Sequence, residues 1–173
     1  MSSVKLNKMI EKLQLVNLVP EVSTDEIEIS SPEINRPALQ LAGYFEHFAS
    51  ERVQIIGYVE YTYLKSLDRD VKMANYEQFL SSDIPCVIYS TRTEPDEDMI
   101  ELAKKYHKPL LSSHRITSDL MAEVIRWLGV ELAPCISIHG VLMDVYGEGI
   151  LIMGESGIGK SEAALELISV VTV

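Results

Sequence analysis

The sequence has no uninterrupted apolar run approaching the roughly 18 residues that a membrane-spanning helix needs, so no segment is expected to cross or enter a membrane. Its first twenty residues, MSSVKLNKMIEKLQLVNLVP, interrupt each short apolar stretch with lysines or Glu11, where a secretory signal requires an unbroken apolar segment. A cytoplasmic location is the expectation. Cysteine is scarce, with only Cys86 and Cys135 in 173 residues. Each lies in a short apolar run, IPCVIY and APCISI, which predicts two buried, reduced thiols rather than a disulfide. Positive charge is also in short supply: 15 Lys and Arg against 26 Asp and Glu give a formal net charge of −11 and a pI near 4.8. Nucleic-acid binding needs clustered Lys and Arg, so nucleic acid is excluded as a partner. What is present, 47% hydrophobic and 24% charged residues, is ordinary for a globular chain with one domain or slightly more.

Hydrophobic spacing organises the first part of the chain. Leu6, Met9, Ile10, Leu13 and Val16 form the stripe of an amphipathic helix over 4–16, closed by Pro20. DEIEIS alternates as a half-exposed strand, and Pro37 opens a helical stretch, ALQLAGYFEHF. RVQIIG reads as a strand over 53–56, followed by two helices in VEYTYLKSL and VKMANYEQFL. IPCVIYS is an apolar strand, and TEPDEDMIELAKKYHK is a helix with Thr93 as its cap, acids at its start and lysines at its end. KPLLSS is a short strand, and TSDLMAEVIRWLGV is a helix that Gly129 is placed to end. Alternating strands and helices predict an α/β fold with a parallel sheet over residues 1–129. From Pro134 the pattern changes. CISIHG and VLMDVYG alternate apolar and polar residues, and a Gly147-Glu148-Gly149 turn leads into ILIM, predicting an antiparallel ribbon that feeds a glycine loop.

That loop, GESGIGKS, matches G-x-x-x-x-G-K-[ST] at Gly154, Gly159, Lys160 and Ser161, with an apolar strand before it and a helical stretch, EAALELI, after it. Glycines let backbone N–H groups converge on an anion, and the following helix adds its positive end. The Lys160 ammonium suits β- and γ-phosphates, and the Ser161 hydroxyl suits a Mg²⁺ ion bridging them. Glu155 is expected to face outward, away from phosphates. His47, His107 and His114 are expected at the surface. His139 precedes Gly140 at the end of an apolar run beside the loop, which leaves two roles open: contact with a transferring phosphoryl group or its acceptor, or a histidine satisfied at a strand end. Asp144 carries a similar pair of readings, near the site or outward on its strand.

The stretch SIHGVLMDVYGEGILIMGESGIGKSEAALELI resembles the loop region of the bacterial HPr kinase/phosphorylase family. RVQIIG, IPCVIYS, the EP-x-E/D helix start and WLGVELAP resemble that family's N-terminal half. The resemblance implies ATP- or pyrophosphate-dependent phosphorylation of a serine of HPr, the sugar phosphotransferase phosphocarrier, and phosphorolytic reversal giving pyrophosphate, in control of carbon catabolite repression. It also implies a hexamer, an N-terminal α/β domain like that of a peptidoglycan-precursor ligase, and a kinase core over 130–173 resembling phosphoenolpyruvate carboxykinase. On the same basis His139 and Lys160 match active-site residues. Gly154, Glu155, Ser156, Gly157, Ile158, Gly159, Lys160 and Ser161 match the ATP loop, and Ser161 a magnesium ligand. The aspartate that exchanges the serine proton in this family has no match here.

The sequence therefore reads as the N-terminal portion of such an enzyme, expected to be inactive in phosphoryl transfer by itself. A short helix after Lys160 is expected to leave Ala164, Leu165 and Leu167 uncovered, and ISVVTV to leave the helix as an unpaired strand that recruits another chain. The rival reading is a non-enzymatic regulatory or assembly module in residues 1–129.

Overall fold

In the computed structural model, which describes residues 2–171, the chain divides into two compact units, Met1–Ala133 and Pro134–Val173. The first is built on three strands whose side chains are buried on both faces: β5 (Val53–Ile56), β6 (Val87–Tyr89) and most of β7 (Leu110–Ser112). Before them come β1 (Val4–Lys5), α1 (Leu6–Leu13), β2 (Val16–Asn17), β3 (Glu28–Ile29), β4 (Ile34–Asn35) and α2 (Ala38–Leu41). Between and after them lie α3 (Tyr58–Ser66), α4 (Arg69–Ser81), α5 (Glu97–Lys105) and α6 (Thr117–Glu131). The sheet runs β2-β7-β6-β5-β4; β4 through β7 are mutually parallel, and β2 joins antiparallel at the edge. β1 and β3 pair separately as a small antiparallel ribbon.

A period-2 alternation divides the core into two layers. Val53, Ile55, Cys86, Ile88 and Leu111 face α1 and α6, meeting Leu6, Met9, Leu120, Val124 and Trp127. Ile56, Val87, Tyr89 and Leu110 face the other helices, meeting Leu41, Phe79, Leu80, Met99 and Leu102. Parallel strands buried on both sides require helices on both sides, and these two layers supply them. The one polar intruder in β5, Gln54, is fully satisfied: its Oε1 accepts from Asn35 Nδ2 (2.8 Å), and its Nε2 donates to Arg52 O (2.7 Å) and Ala49 O (3.2 Å).

Several local expectations change in the fold, each for a physical reason. α1 is shorter than expected because Gln14, at φ 54°, ends it in a left-handed cap, which frees Val16 to pair with Ser112. Pro37 does precede a helix, but Gly43 at φ +90° turns the chain after Leu41, and Tyr44 N closes back on Leu39 O. Asp96, not Thr93, caps α5: its Oδ1 accepts from Met99 N at 2.9 Å, while the Thr93 hydroxyl donates to Ser90 O at 2.7 Å. The acids at the start of α5 also reach α4, where Lys72 pairs with Asp96 (2.5 Å) and Arg69 makes a two-pronged contact with Asp98. This hydrogen bond with Arg69 holds the Asp98 carboxyl below the usual carboxylate range. α6 passes through Gly129 and ends at Glu131, its last turn held by Leu132 N donating to Leu128 O. Cys86 is buried as expected, but Cys135 is exposed because residues 134–139 form no strand.

At the start of α3, the Glu60 side chain is 3% exposed. Its Oε2 accepts from Gly57 N at 3.0 Å, and Arg36 Nη2 lies 2.6 Å from both carboxylate oxygens. Gly57 has no side chain to return the bond, so Glu60 alone caps this helix start. Glu60→Ala is expected to destabilise the chain by about 2–3 kcal/mol, less than for a wholly buried pair because Arg36 is partly solvated. Glu60→Gln, which keeps an acceptor for Gly57, should cost about half as much; equal losses in urea denaturation would assign the effect to packing instead. Burial pushes the Cys86 thiol up to about 12. A disulfide-exchange reagent at neutral pH should therefore modify Cys135 promptly and Cys86 only after denaturant is added.

Candidate functional site

The second unit starts from a ribbon of two six-residue strands, β8 (Gly140–Val145) and β9 (Glu148–Met153). Their register pairs Val145 with Glu148 at one end and Gly140 with Met153 at the other. The reversal lies at Tyr146 (φ 57°) and Gly147 (φ 85°), one step earlier than the glycine spacing predicts. Two consecutive positive φ angles make the tight turn whose twist matches a hairpin. Asp144 serves this turn, its Oδ1 accepting from Gly147 N at 2.9 Å. It sits four residues along β8 from Gly140, roughly 13 Å at strand spacing, so of its two readings the outward, structural one stands.

At the opposite end of the ribbon, Gly154 leaves β9 into the glycine loop. Gly157 (φ 82°) and Gly159 (φ 92°) hold left-handed conformations that a Cβ would strain. Ile158 N donates to Glu155 O (3.4 Å), and Ala163 N donates to Gly159 O (3.0 Å) as the helix begins. That helix, α7 (Lys160–Val171), starts at the lysine of the motif. Its first amides have no acceptor within the helix. Lys160 Nζ donates to Gly154 O (2.8 Å) and Glu155 O (2.6 Å), tying the ammonium across the loop mouth.

Because Gly140 is opposite Met153, the residue before it, His139, comes beside Gly154. The result is one cavity of about 610 Å³ lined by His139, Gly140 and Val141 on one side and the loop and first turn of α7 on the other. Of the loop residues, Gly154, Glu155, Ser156, Gly157, Gly159, Lys160 and Ser161 line it; Ile158 does not, its side chain standing 69% exposed. Glu155, expected to face outward, is part of the wall. Glu162 lines the cavity too, a residue whose place in a helix first turn reads from the sequence as dipole compensation alone. A Cβ on Gly140 would meet Ile152 O at 2.9 Å, so only glycine lets β8 lie this close to β9 at the cavity edge.

His47, His107 and His114 are exposed, as expected, and none belongs to this cavity. Ala164 is buried, contrary to expectation, whereas Leu165 and Leu167 remain exposed. The helix also continues through Val171, so the β-branched residues up to that point do not form the expected strand; Thr172 and Val173 lie outside the described residues. Among the described residues, no helix is long and apolar enough to cross a membrane.

The family model for the HPr Serine kinase N terminus matches residues 4–128, and that for the HPr Serine kinase C-terminal domain matches 130–171. The HPr kinase/phosphorylase of Lachnoclostridium phytofermentans is 54% identical over 168 residues, covering 97% of this chain and 54% of that protein. Those of Alkaliphilus metalliredigens and Caldicellulosiruptor bescii are each 45% identical, over 97% and 94% of this chain and 54% and 52% of theirs. The chain thus spans about half the length of the curated relatives it matches. A solved structure of the CBS and DRTGG domains of a Clostridium perfringens pyrophosphatase is more distant, with 16% identity over 70% of this chain and 45% of that one and a TM-score of 0.43. With both family models matched in sequence order and the glycine loop lying within the second, the chain belongs to the HPr serine kinase family.

Proposed function

We propose that residues 139–162 are the phosphate-binding part of a bifunctional HPr kinase/phosphorylase, and that the observation carrying this reading is the single cavity joining His139 to the glycine loop. In the forward direction ATP or pyrophosphate donates a phosphoryl group to a serine of HPr. The serine oxygen forms a bond to phosphorus as the bridging oxygen leaves, and the serine proton passes to a base. In reverse, inorganic phosphate takes the group from phosphoserine and pyrophosphate is the product. A cytoplasmic hexamer controlling carbon catabolite repression is the wider role that this family membership supports.

The chain's own residues have separable tasks in this reading. Loop and first-turn amides receive phosphate oxygens, acting as preset dipoles that need no rearrangement. Lys160 exchanges its two carbonyl acceptors for phosphate oxygens, and its charge follows the group being transferred. His139, at the ribbon end of the same cavity, positions the phosphoryl group or its acceptor. The serine proton goes elsewhere: the family resemblance gives that task to an aspartate, and no aspartate lines this cavity.

The hydroxyl of Ser161 is a hard oxygen donor in the first turn of α7 and fits Mg²⁺, which takes few protein ligands and keeps water and phosphate oxygens for the rest. Among the described residues, no cluster of three or more His, Cys, Asp or Glu is placed to hold a metal. When bound, Mg²⁺ would neutralise charge on the β- and γ-oxygens.

Calorimetric titration with Mg·ATP tests the reading. Saturable heat is expected from the wild-type chain, with Lys160→Ala weakening affinity roughly tenfold or more and Ser161→Ala reducing the dependence on magnesium. Equal affinity in Lys160→Ala would remove the loop from the proposal. No heat from the wild type would favour the non-enzymatic module.

A further inference from the structure

The parallel strands of the first unit all point their carboxyl ends to one edge of the sheet. Three loops leave that edge: after β5 at Gly57, after β6 at Ser90, and after β7 at Ser113. The chain following β6 goes to the face that holds α5, whereas the chain following β7 goes to the opposite face that holds α6. Neighbouring strands whose connections part to opposite faces open a crevice between them, the place where open α/β sheets bind ligands. Such a crevice is present here, a cavity of about 540 Å³ lined by Tyr58, Thr91, Arg92, His114, Ile116 and Thr117. Its size lies within the range of small-molecule sites.

The chemistry of its wall is specific. Arg92 and His114 both line it, and among the described residues neither side chain has a hydrogen-bond or ion-pair partner. Arg115, one residue further on, is committed elsewhere, donating to Leu13 O at 2.9 Å and pairing with Glu123. The nearest acids in sequence, Glu94 and Asp119, do not line the cavity. In a chain of net charge −11, two unpaired cationic or protonatable groups converging on one crevice mark an anion site. The amino end of α6, a 15-residue helix with no side chain capping it, opens at Thr117 and adds its positive pole. Hydrogen bonds hold the two loops in place: Thr91 N donates to Arg115 O (2.8 Å), and the Ser90 and Thr117 hydroxyls are 2.9 Å apart.

The rest of the wall is apolar. Tyr58 and Ile116 are 59% and 54% exposed, and Tyr58 and Thr117 also border an adjoining groove of about 550 Å³ that runs along Val59, Met121 and Ile125. An inorganic anion would leave these surfaces uncovered. From these features we infer that the first unit binds a small organic phosphate, its phosphoryl oxygens at Arg92, His114 and the start of α6 and its apolar or ring body against Tyr58 and Ile116. This site is separate from the glycine loop and has its own residues.

Residue-resolved amide NMR of the full chain tests it, with phenyl phosphate as the probe and inorganic phosphate and phenol as controls. Phenyl phosphate should shift the Arg92, Thr117 and Ser118 amides saturably, and each control should bind there at least about tenfold more weakly. Shifts at residues 154–161 are read separately and report the glycine loop. Arg92 sits at φ 62°, a conformation asparagine adopts more readily, so Arg92→Asn removes the charge without straining the loop. It should weaken phenyl phosphate roughly tenfold, with Arg92→Lys recovering part of the loss. Tyr58→Ala, at an exposed position, should weaken phenyl phosphate but not inorganic phosphate. Absence of saturation at these amides, inorganic phosphate matching phenyl phosphate, or full affinity in Arg92→Asn would each overturn the inference.

Discussion

Two-sided burial of β5, β6 and β7 is the constraint from which the first unit follows. Ile55, Ile56, Val87, Ile88, Leu110 and Leu111 are wholly inaccessible, so neither sheet face is free to meet water and both must be covered by helices. Covering both faces from a single chain forces the connections to part, with α5 on one side and α6 on the other. The crevice at the carboxyl edge is thus a by-product of closing the core. It places Arg92 and His114 together on one cavity wall, while Glu60 and Glu123 are paired with Arg36 and Arg115 inside the fold.

The second unit solves its positioning problem with backbone instead. Its ribbon register pairs Gly140 with Met153, and the residues just beyond that pair, His139 and Gly154, line one cavity. Glycine at 140 permits close approach, and glycines at 157 and 159 permit the left-handed turns of the loop. The result is a cavity in which much of the polar character comes from main chain and the start of a helix, groups that lose no side-chain entropy when they receive an anion.

Much of this was readable from the sequence because the strongest signals were local. Apolar runs gave the central strands, the charge gradient of EDMIELAKK gave α5, and the glycine-lysine-serine spacing gave the loop. What was not readable depended on tertiary partners or on closely matched local choices. β2 is two residues long and exists only because β7 has an open edge for Val16 to join. Thr93 and Asp96 are both good caps, and Pro95 between them leaves only Asp96 placed to receive Met99 N. Gly129 lies inside α6 at no steric cost because nothing packs near it. The β-branched residues after Ile168 follow helix rather than strand because α7 is already nucleated and a strand there would have no partner. Glu162 was missed as part of the cavity wall because an acid in the first helical turn has a sufficient electrostatic reason to be there without a ligand.

The self-contact of Lys160 sets a scale for how much the loop can gain from its ammonium. The group already donates to two carbonyls, at 2.8 and 2.6 Å, so in the proposed reading a nucleotide would not find an unsatisfied charge waiting. Each phosphate oxygen it took up would displace one of these carbonyls. The difference is that between a hydrogen bond to a neutral acceptor and one assisted by charge on both sides, about 1–2 kcal/mol in a partly solvated setting. The gross attraction of ammonium for phosphate is far larger, but most of it is cancelled by carbonyl and water contacts given up. In the proposed reading, selectivity for phosphates over other anions would come chiefly from the backbone amides of the loop and the first turn of α7, where Gly157 and Gly159 hold the left-handed turns.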